Sequence, residues 1–266
     1  MLKQIRASQG LRLLVQLFGL ILGAGFLVLM IIGYPYAMHA FCPFATICFG
    51  LNKGVIMGSI LAIFGLTVAI SIGILIHSMF FGRQFCGYLC PLGTWQEAIF
   101  SLRGRKYRTK NRIPIYHERR LSKLKYIVLV LTALLSVLGI AYFFIVLCPL
   151  YALSLLPRQA IPGLAVFLLI SIGAAFVERL WCRWLCPYAA LLNTFEGIGA
   201  VFGLRRSKIH RNLERCVDCG CCSLYCPMNI NLLENEYVQS PDCIHCLMCA
   251  KKCPKSGTIC CEKETK

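Results

Sequence analysis

Two cysteine runs near the end of the chain leave that end few ways to fold. The first is Cys216-Val-Asp-Cys219-Gly-Cys-Cys222-Ser-Leu-Tyr-Cys226-Pro227 and the second Cys243-Ile-His-Cys246-Leu-Met-Cys249-Ala-Lys-Lys-Cys253-Pro254. Both contain C-x2-C-x2-C-x3-C-P. Three thiolates at two-residue gaps suit one face of an iron–sulfur cubane, and the proline turns the chain away after the fourth cysteine. In paired runs of this kind the fourth cysteine of each serves the other cluster. That rule assigns Cys216, Cys219, Cys222 and Cys253 to one [4Fe–4S] cluster and Cys226, Cys243, Cys246 and Cys249 to a second. Zinc also takes C-x2-C pairs, but it needs four ligands and rarely uses three at such gaps. A disulfide framework fits less well, because dense cysteines with no export signal on their own domain suit a reducing compartment.

The rest of the chain has a different character. Over 266 residues, 58% are hydrophobic and only 15% charged, with a mean hydropathy of +0.69, too apolar for an ordinary soluble protein. Four segments approach the roughly 20 helical residues that cross a hydrocarbon core. They are Leu11–Ile32, Val55–Phe81, Tyr126–Val146 and the shorter Ile161–Val177. The first is longer than a signal-peptide core and no A-x-A-like cleavage site follows it, so it is counted as a span. Between Arg83 and Lys125 stand eleven Lys and Arg against two Glu, whereas the connections Gly33–Gly54 and Leu147–Gly163 carry only Lys53 and Arg158. The positive-inside rule then predicts a multi-pass protein of the prokaryotic cytoplasmic membrane, with both termini and the cysteine-rich module in the cytoplasm. The net charge of +17 accompanies no nucleic-acid motif, and topology accounts for most of it. The basic loop can attract anionic lipid or an acidic carrier such as a ferredoxin or flavodoxin.

The apolar part repeats itself. One span ends at Cys42-Pro43 and the next runs into Cys86-Gly-Tyr-Leu-Cys90-Pro91; later, one ends at Cys148-Pro149 and the next runs into Cys182-Arg-Trp-Leu-Cys186-Pro187. The offsets are 106 and 96 residues. Two copies of two spans each have the same orientation, related by a pseudo-twofold axis along the membrane normal. The expected fold is mostly α: a four-span transmembrane helical bundle built from two parallel two-helix repeats, plus a small C-terminal bacterial-type 2[4Fe–4S] ferredoxin module. The membrane domain covers residues 1–204, with repeat one at about 11–102, repeat two at about 126–202 and the basic loop at about 103–125; the module covers 205–266.

Symmetry gathers Cys86, Cys90, Cys182 and Cys186 into an inner layer and Cys42 with Cys148 into an outer one. Pro91 and Pro187 should open short helices, Pro91–Leu102 and Pro187–Phe202, with Cys90 and Cys186 at N-termini that favour thiolate. Four such cysteines suit a third cluster or a metal; redox-active thiols and plain burial of small apolar residues are the alternatives. The outer pair, with Cys48 nearby, suits a cluster, a disulfide or packing. A bis-histidine haem is not expected, since His77 has no histidine partner on spans three and four. His39, Tyr34 and Tyr36 could line a quinone pocket, although interfacial tyrosines commonly anchor spans. Gly19 and Gly23 make a G-x3-G of the helix-packing kind. Cys221, Cys260 and Cys261 lie outside both cluster patterns and have no role in this reading.

Paired C-x3-C-P motifs followed by a double-cluster module resemble the NapH/NosR-type membrane ferredoxins, or polyferredoxins. The likeness in layout covers essentially the whole chain, and its specific part is Cys86–Pro91, Cys182–Pro187 and the eight ligands from Cys216 to Cys253. It implies a membrane electron-transfer subunit that works with other subunits of a redox complex and exchanges electrons with quinone or partner iron–sulfur proteins. The competing expectation is a maturation factor whose clusters reduce a metal or disulfide for a partner metalloenzyme. No dinucleotide glycine motif, P-loop or convincing acid–base pair is present, so catalysis by the chain alone is not expected.

Overall fold

The computed structural model describes residues 2–31, 44, 60–104, 107, 112–138, 149, 161–204 and 206–263. The elements are α1 (Leu2–Ile31), α2 (Ile60–Phe81), α3 (Gln84–Tyr88), α4 (Pro91–Ser101), α5 (Ile115–Leu121), α6 (Leu124–Val137) and α7 (Ile161–Phe176). A π-helical turn (Trp181–Leu185), α8 (Pro187–Val201), β1 (Ser207–Arg211), α9 (Cys221–Leu224), α10 (Met248–Lys252) and β2 (Ile259–Lys263) complete them.

The helices pack in a swapped, near-twofold manner. The short α4 of the first copy lies along α7 of the second, and the short α8 of the second lies along α2 of the first. Within copies, α1 packs on α4 and α6 on α8. Pro91 and Pro187 occupy the first turns of α4 and α8, preceded by Cys90 at φ −63°, ψ 114° and Cys186 at φ −70°, ψ 112°. Proline fixes a helical φ and lacks the N–H that a first turn would leave unused, while pushing the residue before it into extended backbone. Each second cysteine therefore stands at the start of a short helix, as its sequence predicts.

Two helices, α1 and α6, have inverted faces. On α1, Gln9, Arg12 and Gln16 are buried while Leu11, Leu14, Phe18 and Ile21 are exposed. On α6, Lys125, Thr132 and Ser136 turn inward while Ile127, Val130, Leu131 and Leu134 turn outward. Spacings of three, four and seven residues place each polar set on one helical face.

The expected four-span transmembrane bundle needs correction. Among the described residues no helix is long and apolar enough to cross a membrane. Helix α6 has 14 residues, about 21 Å at 1.5 Å per residue, against a core of about 30 Å. On α1 the inward side is polar. Average hydropathy had joined apolar outer faces and flanking segments into spans, whereas the described helices are shorter or carry buried polar residues.

The C-terminal segment folds around a two-stranded antiparallel sheet, with Ser207 opposite Lys263 and Arg211 opposite Ile259. Its core is Ile209, Cys222, Leu232, Val238, Cys249, Ala250 and Ile259. A second core joins the segment to the helices through Phe44, Cys86, Tyr188, Leu192, Met228, Ile244 and Cys246. Cluster-run residues and repeat residues thus share one apolar centre.

Candidate iron–sulfur sites

Backbone conformation accounts for how the two runs present their cysteines. Asp218 and His245, each just before a run's second cysteine, have φ of 47° and 51°; Gly220 and Leu247, each just after it, have φ of 71° and 54°. Both runs therefore enter left-handed backbone at the same two steps. Such alternation turns successive N–H groups inward and forms the anion-binding concavity typical of Fe–S sites. Three of these four residues are not glycine, so the conformation is held at a cost of about 1–3 kcal/mol each.

The runs interleave. Cys226 from the first lines a small apolar cavity with Cys243, Cys246 and Cys249 from the second. Burial pushes the thiols of all four upward, opposed at Cys243 by the backbone amide of His245 and at Cys246 by the charge of Arg12 and the amide of Met248. In the other set, Cys219, Cys222 and Cys253 lie within electrostatic reach of Cys221, and Cys216 within reach of Cys222. Arg211 Nη1 donates to Cys216 Sγ at 3.4 Å and to Asp218 Oδ1 at 2.7 Å. The first set is the more exposed and the second the more enclosed, with Cys219 exposed and Cys246 and Cys249 buried.

The inner cysteines also meet. Cys86 and Cys182 are buried. Cys182 and Cys86 both act on Cys90 and on Cys186, whose thiols burial pushes up first and neighbouring sulfurs push up further. Two arginines enclose them reciprocally. Arg83, three residues before Cys86, donates to the carbonyl of Cys182 at 2.7 Å; Arg179, three residues before Cys182, donates to the carbonyl of Cys86 at 2.6 Å. Both guanidinium groups are fully buried. Gln96 Nε2 also faces Cys182 Sγ at 3.7 Å. Thiols pushed up by burial, as Cys90, Cys182 and Cys186 are, make poor nucleophiles. The four cysteines beside two fixed cations suit an anionic metal–thiolate group, whose metal would supply the deprotonation.

Each arginine has its own acid. Arg179 pairs with Glu97 at 2.5 Å, and Arg12 of α1 pairs with the same carboxylate at 2.7 Å. Burial opposes ionisation of Glu97, but Arg179 and Arg12 outweigh it and hold the carboxyl at about 2. Arg83 pairs instead with Asp242 at 2.7 Å, which also accepts from Lys125 and from Asn193 Nδ2. Burial and then the charge of Arg83 push Lys125 down to about 8, against the pull of Asp242. Asp242 immediately precedes Cys243, the first cysteine of the second run.

The second run therefore rests directly on the first C-x3-C motif. Gln9 Nε2 donates to the carbonyl of Cys246 at 2.6 Å, and Tyr88 Oη donates to that of His245 at 3.3 Å. Arg12 and Gln16 both donate to the carbonyl of Gly87. A Cβ at Gly87 would collide with the carbonyl oxygen of Ile244, so only glycine allows this approach. A Cβ at Gly19 would stand 2.6 Å from the Leu89 carbonyl, and one at Gly23 would touch Pro91. The G-x3-G of α1 thus packs on the cysteine motif.

Sequence inspection missed Arg83, Arg179, Glu97 and Asp242. A signal was present, because the offset of 96 residues that aligns Cys86 with Cys182 also aligns Arg83 with Arg179. Part of the basic loop is committed inside: its Glu118 pairs with Arg183 of the π-helical turn, and its Arg112 donates to Asn229 at 2.6 Å. His77 stacks on Phe81 and bonds Gln84. Cys42, Cys48, Cys148, Tyr34, Tyr36 and His39 lie outside the described residues.

Comparison with known proteins bears on the same segments. A family profile described as a 4Fe-4S binding domain matches twice, over residues 61–110 and 159–212. The protein MJ0750 of Methanocaldococcus jannaschii is 31% identical over 84% of this chain and 88% of its own length. This chain belongs to that 4Fe-4S binding-domain family. YccM of Escherichia coli, a family relative named as an electron transport protein, is 27% identical over 85% of the chain. The methylamine utilization ferredoxin-type protein MauN of Methylorubrum extorquens is 30% identical over 54% of it. The chain spans 63% of YccM and 47% of MauN. No solved structure matches significantly. The two family segments contain Cys86, Cys90, Cys182 and Cys186 and end before Cys216.

Proposed function

We propose that this 4Fe-4S family protein is a membrane-associated electron-transfer subunit of the NapH/NosR type, with three cysteine-bound centres. Cys216, Cys219, Cys222 and Cys253 hold one [4Fe–4S] cluster, and Cys226, Cys243, Cys246 and Cys249 hold a second. Cys86, Cys90, Cys182 and Cys186 hold a third iron–sulfur centre. When bound, these groups supply one-electron redox chemistry at potentials set by charge, hydrogen bonds and exposure.

The observation that carries this reading is the reciprocal Arg83/Arg179 enclosure of the inner cysteines, inside two segments that both match a 4Fe-4S binding profile. The arginines offset the negative charge of four thiolates in a site from which water is excluded. Asp242 and the Gly87–Ile244 approach hold the second run against the inner set, without an intervening layer of protein. Cys219, at the exposed end, is where a soluble ferredoxin or flavodoxin could approach. Quinone or another subunit of a redox complex is the partner on the other side.

The inverted faces of α1 and α6 support a location against the lipid of a prokaryotic cytoplasmic membrane, since apolar side chains turn outward around a polar inside. The competing maturation role would need accessible, reactive thiols. Burial of Cys86 and Cys182 favours a bound centre instead.

The test is anaerobic iron and acid-labile sulfide analysis with EPR, on the full chain and on a Cys86→Ser/Cys182→Ser variant. We expect the variant to lose one distinct centre and keep two [4Fe–4S] signals. Unchanged iron and spectra would sink the third centre and move the reading to thiol chemistry.

A further inference from the structure

The last strand carries a group of side chains that the three proposed centres do not use. His210 on β1 stands directly opposite Cys260 on β2. Glu262, two residues further along, emerges on the same face because side chains alternate along a strand. His210 Nδ1 is 3.7 Å from Cys260 Sγ and 3.5 Å from Glu262 Oε2, and Cys260 Sγ is 3.1 Å from Glu262 Oε1. Ligand atoms of all three residues lie within 4.8 Å of one another.

The two separations from His210 Nδ1 resemble the edges of a tetrahedral zinc site, and the sulfur–carboxylate separation is shorter than its edge. With Zn–S of about 2.3 Å and Zn–N or Zn–O of about 2.05 Å, a tetrahedral angle puts N and S about 3.6 Å apart and N and O about 3.3 Å apart. An independent feature points the same way. The other ring nitrogen, His210 Nε2, lies 2.9 Å from Glu236 Oε1. A carboxylate on the far nitrogen is the usual partner of a metal-bound histidine, fixing the ring and the tautomer that leaves the near nitrogen's lone pair free. Here that lone pair would face Cys260 and Glu262. Glu236 is itself positioned by the bridge between His210 and Tyr237, whose ring lies 4.8 Å from the imidazole.

We propose that His210 Nδ1, Cys260 Sγ and Glu262 form a three-ligand site for a divalent cation of the zinc type, with Glu236 as its outer carboxylate and a fourth position open to solvent. The opening lies on the side of Glu262, whose side chain is 53% exposed. The site is independent of the electron-transfer reading.

The experiment uses the full chain with its iron–sulfur centres intact, prepared anaerobically and equilibrated with Zn²⁺. Zinc is measured by mass spectrometry and its ligands by X-ray absorption at the zinc edge. We expect one zinc per chain with a single sulfur in a nitrogen and oxygen shell. Cys260→Ala should abolish the sulfur signal, and Glu236→Gln should weaken binding by about 10- to 100-fold, both with unchanged iron content. Glu262→Gln, at an exposed position, provides a second ligand variant if Cys260→Ala fails to fold. Absence of bound zinc, zinc unaffected by these variants, or an all-sulfur shell at the cluster cysteines would overturn the proposal.

Discussion

The two copies of the C-x3-C-P plan both end in an extended cysteine and a helix-opening proline, and they differ in what they receive. In the first copy the residue after the leading cysteine is Gly87, which admits the Ile244 carbonyl of the second cluster run. In the second copy the same step is Arg183, which reaches out to Glu118 of the basic loop. Further along, Glu97 neutralises Arg179, whereas its counterpart at the 96-residue offset is Asn193, and the acid for Arg83 arrives from Asp242. A near-twofold site has been made one-sided by two substitutions and an acid from outside the repeat. One face accepts the C-terminal module and the other accepts the loop, so the inner cysteines have a defined neighbour.

The sharpest way to break this comparison is to remove each acid in turn. Glu97→Gln leaves Arg179 and Arg12 buried with no carboxylate, and loss of one partner of a buried pair typically costs about 3–5 kcal/mol. Asp242→Asn strands Arg83 and Lys125 in the same way. The two should differ spectroscopically. Anaerobic denaturant unfolding should report similar losses, while EPR should change for Asp242→Asn, beside Cys243, and much less at the second cluster for Glu97→Gln. A loss below about 1 kcal/mol in both variants would show that the arginines do not depend on these partners. Glu97 also sets an acid limit. Its folded pKa of about 2 lies below the ordinary carboxyl value of 4.5, so its contribution is fully present above 4.5 and is lost as pH falls toward 2.

The second copy has an acid of opposite behaviour. Glu196 occupies the place of Phe100 at the same offset, and burial raises its pKa from 4.5 to about 7 despite Lys208, Arg206 and Arg83. The folded protein then holds a proton that the unfolded chain has released. Stability from this group is complete below 4.5 and declines by up to about 3 kcal/mol as pH rises through 7. Glu196→Gln should flatten unfolding free energy over that window. A slope that persists in the variant would assign the effect elsewhere.

Gly87→Ala should cost about 1–3 kcal/mol, the range for forcing extra volume into a packed contact, and should shift the EPR of the centre held by the Cys243–Cys249 loop. Alanine at the matching step of the second copy, in Arg183→Ala, should leave that signal in place while weakening attachment of the basic loop through Glu118. Equal spectral effects from both variants would contradict the one-sided arrangement.

Much of this site could be read from the sequence because its signals are local. Cysteine spacing, the proline after each second cysteine and the 96-residue offset all concern neighbouring residues or a simple repeat, and α4 and α8 begin where Pro91 and Pro187 require. The span assignment erred because a hydropathy window averages around the helix and cannot see that Gln9, Arg12 and Gln16 share an inward stripe. Asp242 was hidden for another reason. Its partners Arg83, Lys125 and Asn193 are 159, 117 and 49 residues away, and nothing in a single sequence announces a pairing made only by tertiary packing. Cys260 has no visible partner in the sequence on the same grounds, since its histidine is 50 residues distant on the facing strand.

The smallest effect should come from the loop's outer pair, and its smallness is informative. Arg119 and Glu234 approach to 2.5 Å, but their side chains are 64% and 43% exposed. In water and salt such a pair contributes about 0–1 kcal/mol. Glu118, on the same loop, is buried against Arg183 of the second copy, and its carboxylate also accepts from Trp184 Nε1 at 3.0 Å. Arg119→Ala should therefore alter stability by less than about 1 kcal/mol, with the remaining effect fading at high salt. Arg183→Ala, leaving Glu118 buried, should cost several-fold more and respond little to salt. If Arg119→Ala proved as damaging as Arg183→Ala, the loop would be held by its solvent-facing charges. The second copy's claim to it through Arg183 would then fail.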